Sequence, residues 1–313
     1  MRILVTGGAG FIGSQVVDAY LEAGHQVVVL DDLSTGKREN LNPAAELWEL
    51  DVAGPEAARA VAAGGFQVVN HHAAQVSVPY SVEHPLEDLR VNGRGALNLL
   101  AAAAAGGARR FIFISSGGAV YGEQERLPIS EQTPPRPLSP YAVHKLLGES
   151  YLPHFRAEHG LETVVLRYAN VYGPRQSPHA EAGVVAIFCQ ALVAGRPVTV
   201  YRHPDMPRGM IRDYVYVGDC VAANLAALER GDGGVFNIGT GRPTATLDLW
   251  EELCRAAGGG AEPGFGPPRP GDLRRSLLDS DLARRELGWR PTVELAQGAA
   301  LTLRWQREQA GGG

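Results

Sequence analysis

A glycine-rich turn near the N-terminus constrains this chain more than any other feature. The segment VTGGAGFIGS follows an apolar run, RILVT, and leads into a helical pattern, with glycines at Gly7, Gly10 and Gly13. Each glycine has a mechanical use: a tight turn, close approach of the backbone to a diphosphate, and close packing of helix on strand. The helix that follows directs its unsatisfied N–H groups and the positive end of its dipole at the same point. Asp31 closes the next apolar run, QVVVLD, 18 residues beyond Gly13. A carboxylate there can accept both hydroxyls of an adenosine ribose and repel a 2′-phosphate. This order of strand, turn, helix and acid predicts a dinucleotide-binding βαβ unit that prefers NAD to NADP. Lys37 and Arg38 come after a turn, STG, and are expected to be solvated rather than to hold a 2′-phosphate.

Short β-branched runs alternate with alanine- and leucine-rich helical patterns through the first half, which predicts an α/β fold with a Rossmann-type doubly wound parallel sheet. Strands are expected at 2–6, 26–31, 47–51, 67–71, 111–115 and 163–168, and helices at 13–23 and 86–105 among others. After Tyr172 the alternation stops and proline-rich loops separate isolated elements. Residues 1–172 are therefore expected to form the NAD-binding domain and 173–313 mainly a smaller, mixed α/β substrate lobe. Runs near 212–217 and 235–238 are candidates to return to the main sheet. At 313 residues the chain is at the size where one core stops growing, in keeping with two lobes.

The net charge of −5 offers no basic face for nucleic acid, which points to a small-molecule partner. Cys189, Cys220 and Cys254 are odd in number and widely spaced, unlike a disulfide framework or a zinc site. The strand-like start leaves no room for a signal peptide, and no apolar stretch approaches the roughly 20 residues of a membrane helix. A soluble, cytoplasmic protein is expected.

The chain has only two lysines, Lys37 and Lys145, and the second lies in SPYAVHKLL. Ser139 is a good N-cap and Pro140 suits the first helical position, so a helix is expected to start there. Tyr141 and Lys145 then stand at i and i+4 on one face, where an ammonium can stabilise a phenolate. A phenol titrates near 10, and a neighbouring cation lowers that value toward the range of a usable base.

These motifs together resemble the extended short-chain dehydrogenase/reductases, in particular the nucleotide-sugar epimerase and dehydratase group. The resemblance rests on TGGAGFIG, LDDLSTG, HHAAQVSV, VNGRGALNLL, SSGGAVYGE, YAVHK, RYANVYGPRQ, RDYVYVGD, NIGTG and RPGDL. It implies NAD contacts from Gly7, Gly10, Phe11, Ile12, Gly13, Asp31, Asp32, Ala73, Ala74, Asn92, Tyr141, Lys145 and Tyr168, with Asp51 and Val52 near the adenine. It further implies a UDP-sugar substrate held by Asn170, Arg212, Arg269, Asp272 and Ser276, and a homodimer built on a four-helix contact. Pro153 is expected to kink or end one of those helices.

The resemblance also bears on the reaction. Dehydratases of the group carry an Asp-Glu pair before Val-Tyr-Gly, where this chain has Gly118 and Ala119. Absence of that acid and base favours a 4-epimerase over a dehydratase, with UDP-glucose and UDP-galactose as expected substrates; a reductase of the group, which needs no such pair, and a noncatalytic NAD-binding regulator are the alternatives. The usual catalytic serine or threonine position falls on Gly117; Ser116 is the first replacement candidate and Ser115 the second. Ser276 stands where some members have tyrosine, so N-acetylated sugars are also expected to fit. His71 and His72 alternate on a strand and are not expected to share a metal. They are expected to pack at the sheet edge, and His144 to be a surface residue.

Overall fold

The computed structural model describes residues 1–177, 183–268 and 273–311. The first six strands are β1 (Arg2–Thr6), β2 (Gln26–Leu30), β3 (Glu46–Trp48), β4 (Val68–His71), β5 (Arg110–Ser116) and β6 (Glu162–Tyr168). Six more follow: β7 (Asn170–Tyr172), β8 (Thr199–Tyr201), β9 (Ile211–Tyr216), β10 (Val235–Ile238), β11 (Pro243–Ala245) and β12 (Gly264–Gly266). Seven of them form one parallel sheet in the order β10-β6-β5-β4-β1-β2-β3.

Successive residues of a strand face opposite sides, so strands apolar throughout must be covered twice. Ile3, Val5, Val27, Val29, Ile112 and Ile114 pack on one face with Val16, Val17 and Tyr20 of the helix Phe11–Glu22 and Cys220 and Ala223 of the helix Val217–Ala227. Leu4, Val28, Leu30, Phe111 and Phe113 pack on the other with Leu99 and Leu100 of the helix Ala96–Ala105 and Leu152 and Phe155 of the helix Pro140–His159. The fold is the expected doubly wound sheet. The strand order reverses between β1 and β4, so the connections leaving their C-terminal ends diverge and open a crevice there.

The C-terminal part has its own core, in which Phe188, Leu249, Trp250, Leu253 and Leu303 pack between the helices Val184–Val193, Thr246–Ala257 and Leu295–Gly311. β9 lies between β11 and β7 in a separate three-stranded sheet, and β8 pairs with β12. Of the two runs expected as candidates for the main sheet, only 235–238 joins it, beside β6.

Several elements depart from expectation for local reasons. β3 stops at Trp48 rather than 51, because its partner β2 ends at Leu30. The expected helix 86–105 is three pieces: Pro85–Asp88, a wide π-helical segment Leu89–Gly95, and Ala96–Ala105. The helix at Pro140 runs unbroken through Pro153 to His159 and closes on Gly160 at φ 65°. Pro153 faces solvent, while Leu152 and Phe155 anchor the same turn in the core. Among the described residues no helix is long and apolar enough to cross a membrane.

Candidate active site

Three segments converge at the C-terminal ends of the central strands. In the first, Gly7 takes φ 67°, and a Cβ there would lie 2.7 Å from the Ala73 nitrogen. A Cβ on Gly13 would lie 2.2 Å from the Gly7 carbonyl oxygen, so turn and helix meet backbone to backbone. Gly10 gives the helix Phe11–Glu22 no side-chain cap, which leaves the first-turn amides at Phe11, Ile12 and Gly13 directed at the crevice mouth. Asp31, buried at the end of β2, accepts from the Ala9 amide at 2.9 Å and the Leu33 amide at 2.9 Å. Burial raises its pKa against those two hydrogen bonds. Asp32 is exposed and accepts from the Ser34 amide and hydroxyl.

In the second segment, the Ala73 amide donates to Thr6 Oγ1 at 3.1 Å, and Ala74 follows on the same loop. Asp51 accepts from the Ala53 amide and pairs with Arg90, and Val52 is buried beneath Gly95. Asn92 lies in the π-helical segment and is buried, its amide bridging Gln75 and Asp88. π-helical turns occur often at functional sites.

The third segment carries the tyrosine–lysine pair. The Ser139 hydroxyl caps the helix by accepting from the Ala142 amide at 3.2 Å, and the Tyr141 amide donates to Ser81 Oγ at 3.2 Å. Lys145 is buried, donates to the Ile114 carbonyl at 3.0 Å, and lies 5.9 Å from the centre of the Tyr141 ring and 5.4 Å from that of Phe113. Burial pulls its pKa down to about 8, opposed by Asp88 and Glu149. The i, i+4 spacing thus brings cation and phenol together beside the end of β5.

The two candidate serines part company here. Ser115 points into the core and donates to Glu149 Oε1 at 2.5 Å. Ser116 is half-buried and stands at the N-cap position of the short helix Gly117–Val120, its hydroxyl making no capping hydrogen bond. A Cβ on Gly118 would stand 3.9 Å from Ser116 Oγ and 3.7 Å from Asn170 Oδ1, so serine and asparagine face a common space that glycine leaves open. A Cβ on Gly117 would meet the Leu278 side chain at 2.6 Å, which accounts for glycine at the position where a hydroxyl residue is usual.

Arg212 lies on β9, and Ser276 beside it donates its amide to the Ile211 carbonyl at 3.1 Å. Asp213 is turned inward to accept from Thr240, Gly241 and Leu278. Arg269 and Asp272 lie outside the described residues. The Tyr168 hydroxyl accepts from Asn224 at 2.5 Å inside the core, so its phenol is not brought to the crevice. Two histidine expectations are corrected. β4 is central, so His71 is not at a sheet edge; it contacts Thr6 Oγ1 at 2.8 Å and stacks on Phe113, with its pKa held down to about 3 by burial. His144 is buried against Asp88, not on the surface.

A family model described as the NAD dependent epimerase/dehydratase family matches residues 3–239. The chain belongs to this family. It is 46% identical to a UDP-glucose 4-epimerase of Mycolicibacterium smegmatis, over 99% of the chain and 100% of the relative. A crystal structure of a UDP-glucose 4-epimerase from Thermotoga maritima with UDP-glucose superposes with a TM-score of 0.95 at 47% identity, covering 99% of this chain and 100% of that one. A Thermus thermophilus UDP-glucose 4-epimerase in complex with NAD gives 0.92 at 46% identity, covering 98% and 99%.

The family's cofactor fits the residues present. The Gly7–Gly13 turn and its uncapped helix suit a diphosphate, and the Asp31 carboxylate suits a ribose diol. Lys37 is paired with Glu39 at 3.1 Å and Arg38 with Glu49, all exposed, so both cations nearest Asp31 in sequence are engaged away from it. Reading the sequence had not found the carboxylates behind the site, Asp88 and Glu149. Their signal was faint: Asp88 stands four residues before Asn92 and Glu149 four after Lys145, spacings common on any helix.

Proposed function

We propose that the chain is a UDP-sugar 4-epimerase that interconverts UDP-glucose and UDP-galactose. One observation carries this reading: the Tyr141–Lys145 pair stands intact beside β5 while Gly118 and Ala119 replace the acid and base that a dehydratase needs. Bound NAD supplies a hydride acceptor and donor at the sugar C4, so none is consumed. Tyr141, as phenolate, takes the proton of the sugar 4-hydroxyl and returns it to the same oxygen after the sugar has presented its other face. Lys145 stabilises that phenolate, and Ser116 is the hydroxyl bridging phenol and substrate oxygen. We assign the diphosphate to Asn170, Arg212 and Arg269, since guanidinium suits bidentate phosphate binding. Ser276 is small and buried near Arg212, which supports room for an N-acetyl group at C2.

We divide the chain into an NAD-binding part, 1–172 with 235–238 added, and a mainly substrate-binding part, 173–313. A homodimer is supported by exposed Tyr80, Val82, Leu86, Leu89 and Val143, grouped on the helices around the Tyr141 turn. The three unpaired cysteines agree with a reducing cytoplasm.

The purified protein, given UDP-galactose without added reductant, is expected to form UDP-glucose with no net change in nicotinamide absorbance; Tyr141→Phe keeps NAD and loses turnover. Accumulation of a keto sugar points instead to a dehydratase, and an active Tyr141→Phe removes the proposed base. UDP-N-acetylgalactosamine is expected to turn over within about a thousandfold of UDP-galactose, and a larger deficit removes the role given to Ser276.

A further inference from the structure

Asp88 has no part in the chemistry above, yet its carboxylate is fully buried. It accepts from Asn92 Nδ2 at 2.8 Å and 3.1 Å and from Gln75 Nε2 at 3.2 Å. His144 Nδ1 stands 3.1 Å from Oδ2. Among the described residues, the His144 imidazole is the only basic side chain against Asp88, and no arginine or lysine touches it. Glu149, the other carboxylate near Lys145, is differently placed. Both of its oxygens accept from Arg167, at 2.5 to 3.2 Å, and Ser115 donates to one of them, so its charge is matched in contact.

A buried charge with only amide and imidazole partners needs a cation within electrostatic reach. Lys145, next to His144 in the chain, is a buried ammonium with no carboxylate within 4.0 Å among the described residues. Each is thus the charge the other lacks. We infer that Asp88 is a positioning residue for Lys145, a counter-charge beyond contact distance that keeps the ammonium protonated where Tyr141 works, tied to the same helical turn through His144. The inference rests on the roles proposed for Tyr141 and Lys145. The other groups facing Lys145 do not supply this charge. His71 and His72 are held neutral by burial, with pKa values pulled down to about 3; Ile114 offers a carbonyl; Tyr141 carries a charge only as the phenolate, which itself depends on Lys145 being an ammonium; Glu149 is matched by Arg167. Of the two carboxylates opposing the burial of Lys145, Asp88 acts more strongly.

The test uses the rarity of lysine. Protein carrying its NAD and labelled with 13C-lysine shows two lysine side chains by NMR, exposed Lys37 as internal reference and Lys145 as the reporter. In Asp88→Asn, the Lys145 titration midpoint is expected to fall by about one pH unit or more while that of Lys37 stays in place. The alkaline limb of the turnover profile is expected to move to lower pH with it. Asp88→Ser is a second neutral replacement should the first not fold, and Asp88→Glu, which keeps the charge, is expected to keep the parent midpoint. A Lys145 midpoint unmoved in a folded neutral variant overturns the inference, even if turnover falls, because a packing role alone lowers activity without shifting that titration. The NMR readout does not require turnover, so its outcome is separable from that of the epimerase assay.

Discussion

The neighbouring serines show how much one residue's orientation decides. Ser115 and Ser116 are adjacent and chemically identical, and β5 sends them to opposite sides. Ser115 serves the buried Glu149–Arg167 pair, which continues through Tyr121 to Asn237. Ser115→Ala is expected to lower stability by about 1–3 kcal/mol, because the buried Glu149 loses a donor. Ser116→Ala is expected to lower kcat about a hundredfold with the melting temperature little changed. Thermal melts beside steady-state kinetics check both, and the reverse pattern reassigns the catalytic hydroxyl to Ser115. The sequence left this choice open because counting residues back from Val120 does not say which way a side chain points. It also concealed the importance of His144, whose burial depends on a partner 56 positions away.

At the scale of elements, the strands of the main sheet and the start of the Tyr141 helix were legible because their causes are local. Apolar runs of the right length, a capping serine and a proline at the first helical position act within a few residues. The glycine turn is local as well, and its tolerance can be tested. Gly13→Ala places a Cβ 2.2 Å from the Gly7 carbonyl oxygen, a backbone atom that can move only with the turn itself. The variant is expected to lose about 1–3 kcal/mol of stability and to release NAD during dialysis that the parent retains. Denaturant midpoints and the absorbance of retained cofactor measure the two effects, and full retention at parental stability refutes the close-packed turn. The π-helical segment Leu89–Gly95 was not legible, and Asn92 within it bonds to Gln75, 17 positions away in the chain. Nor was the continuation of the helix past Pro153, where burial of the flanking Leu152 and Phe155 outweighs one lost hydrogen bond.

For the whole molecule, the exposed apolar group around Leu86 is the feature that monomeric packing does not explain. Leu86 is 80% exposed, so Leu86→Asp is expected to leave monomer stability within about 0.5 kcal/mol while weakening the proposed homodimer about 30-fold. Sedimentation velocity across a concentration series reads this directly, and an unaltered association constant excludes that face as the contact. The destination of β9 also belongs to this scale. From its sequence it suits any sheet, and it joins β7 and β11 because the edge beside β6 is taken by β10. By itself the sequence determined the parallel α/β architecture, the dinucleotide turn and its acid, and the tyrosine–lysine pair. Each is written in periodicity and short spacing, where the interacting groups are near neighbours along the chain. Only the tertiary structure decided which serine faces the site, which carboxylate stands unmatched near Lys145, and which strand closes the sheet. Those outcomes depend on groups distant in sequence meeting in an interior without water, where an unmatched charge or hydrogen bond is expensive enough to select one arrangement.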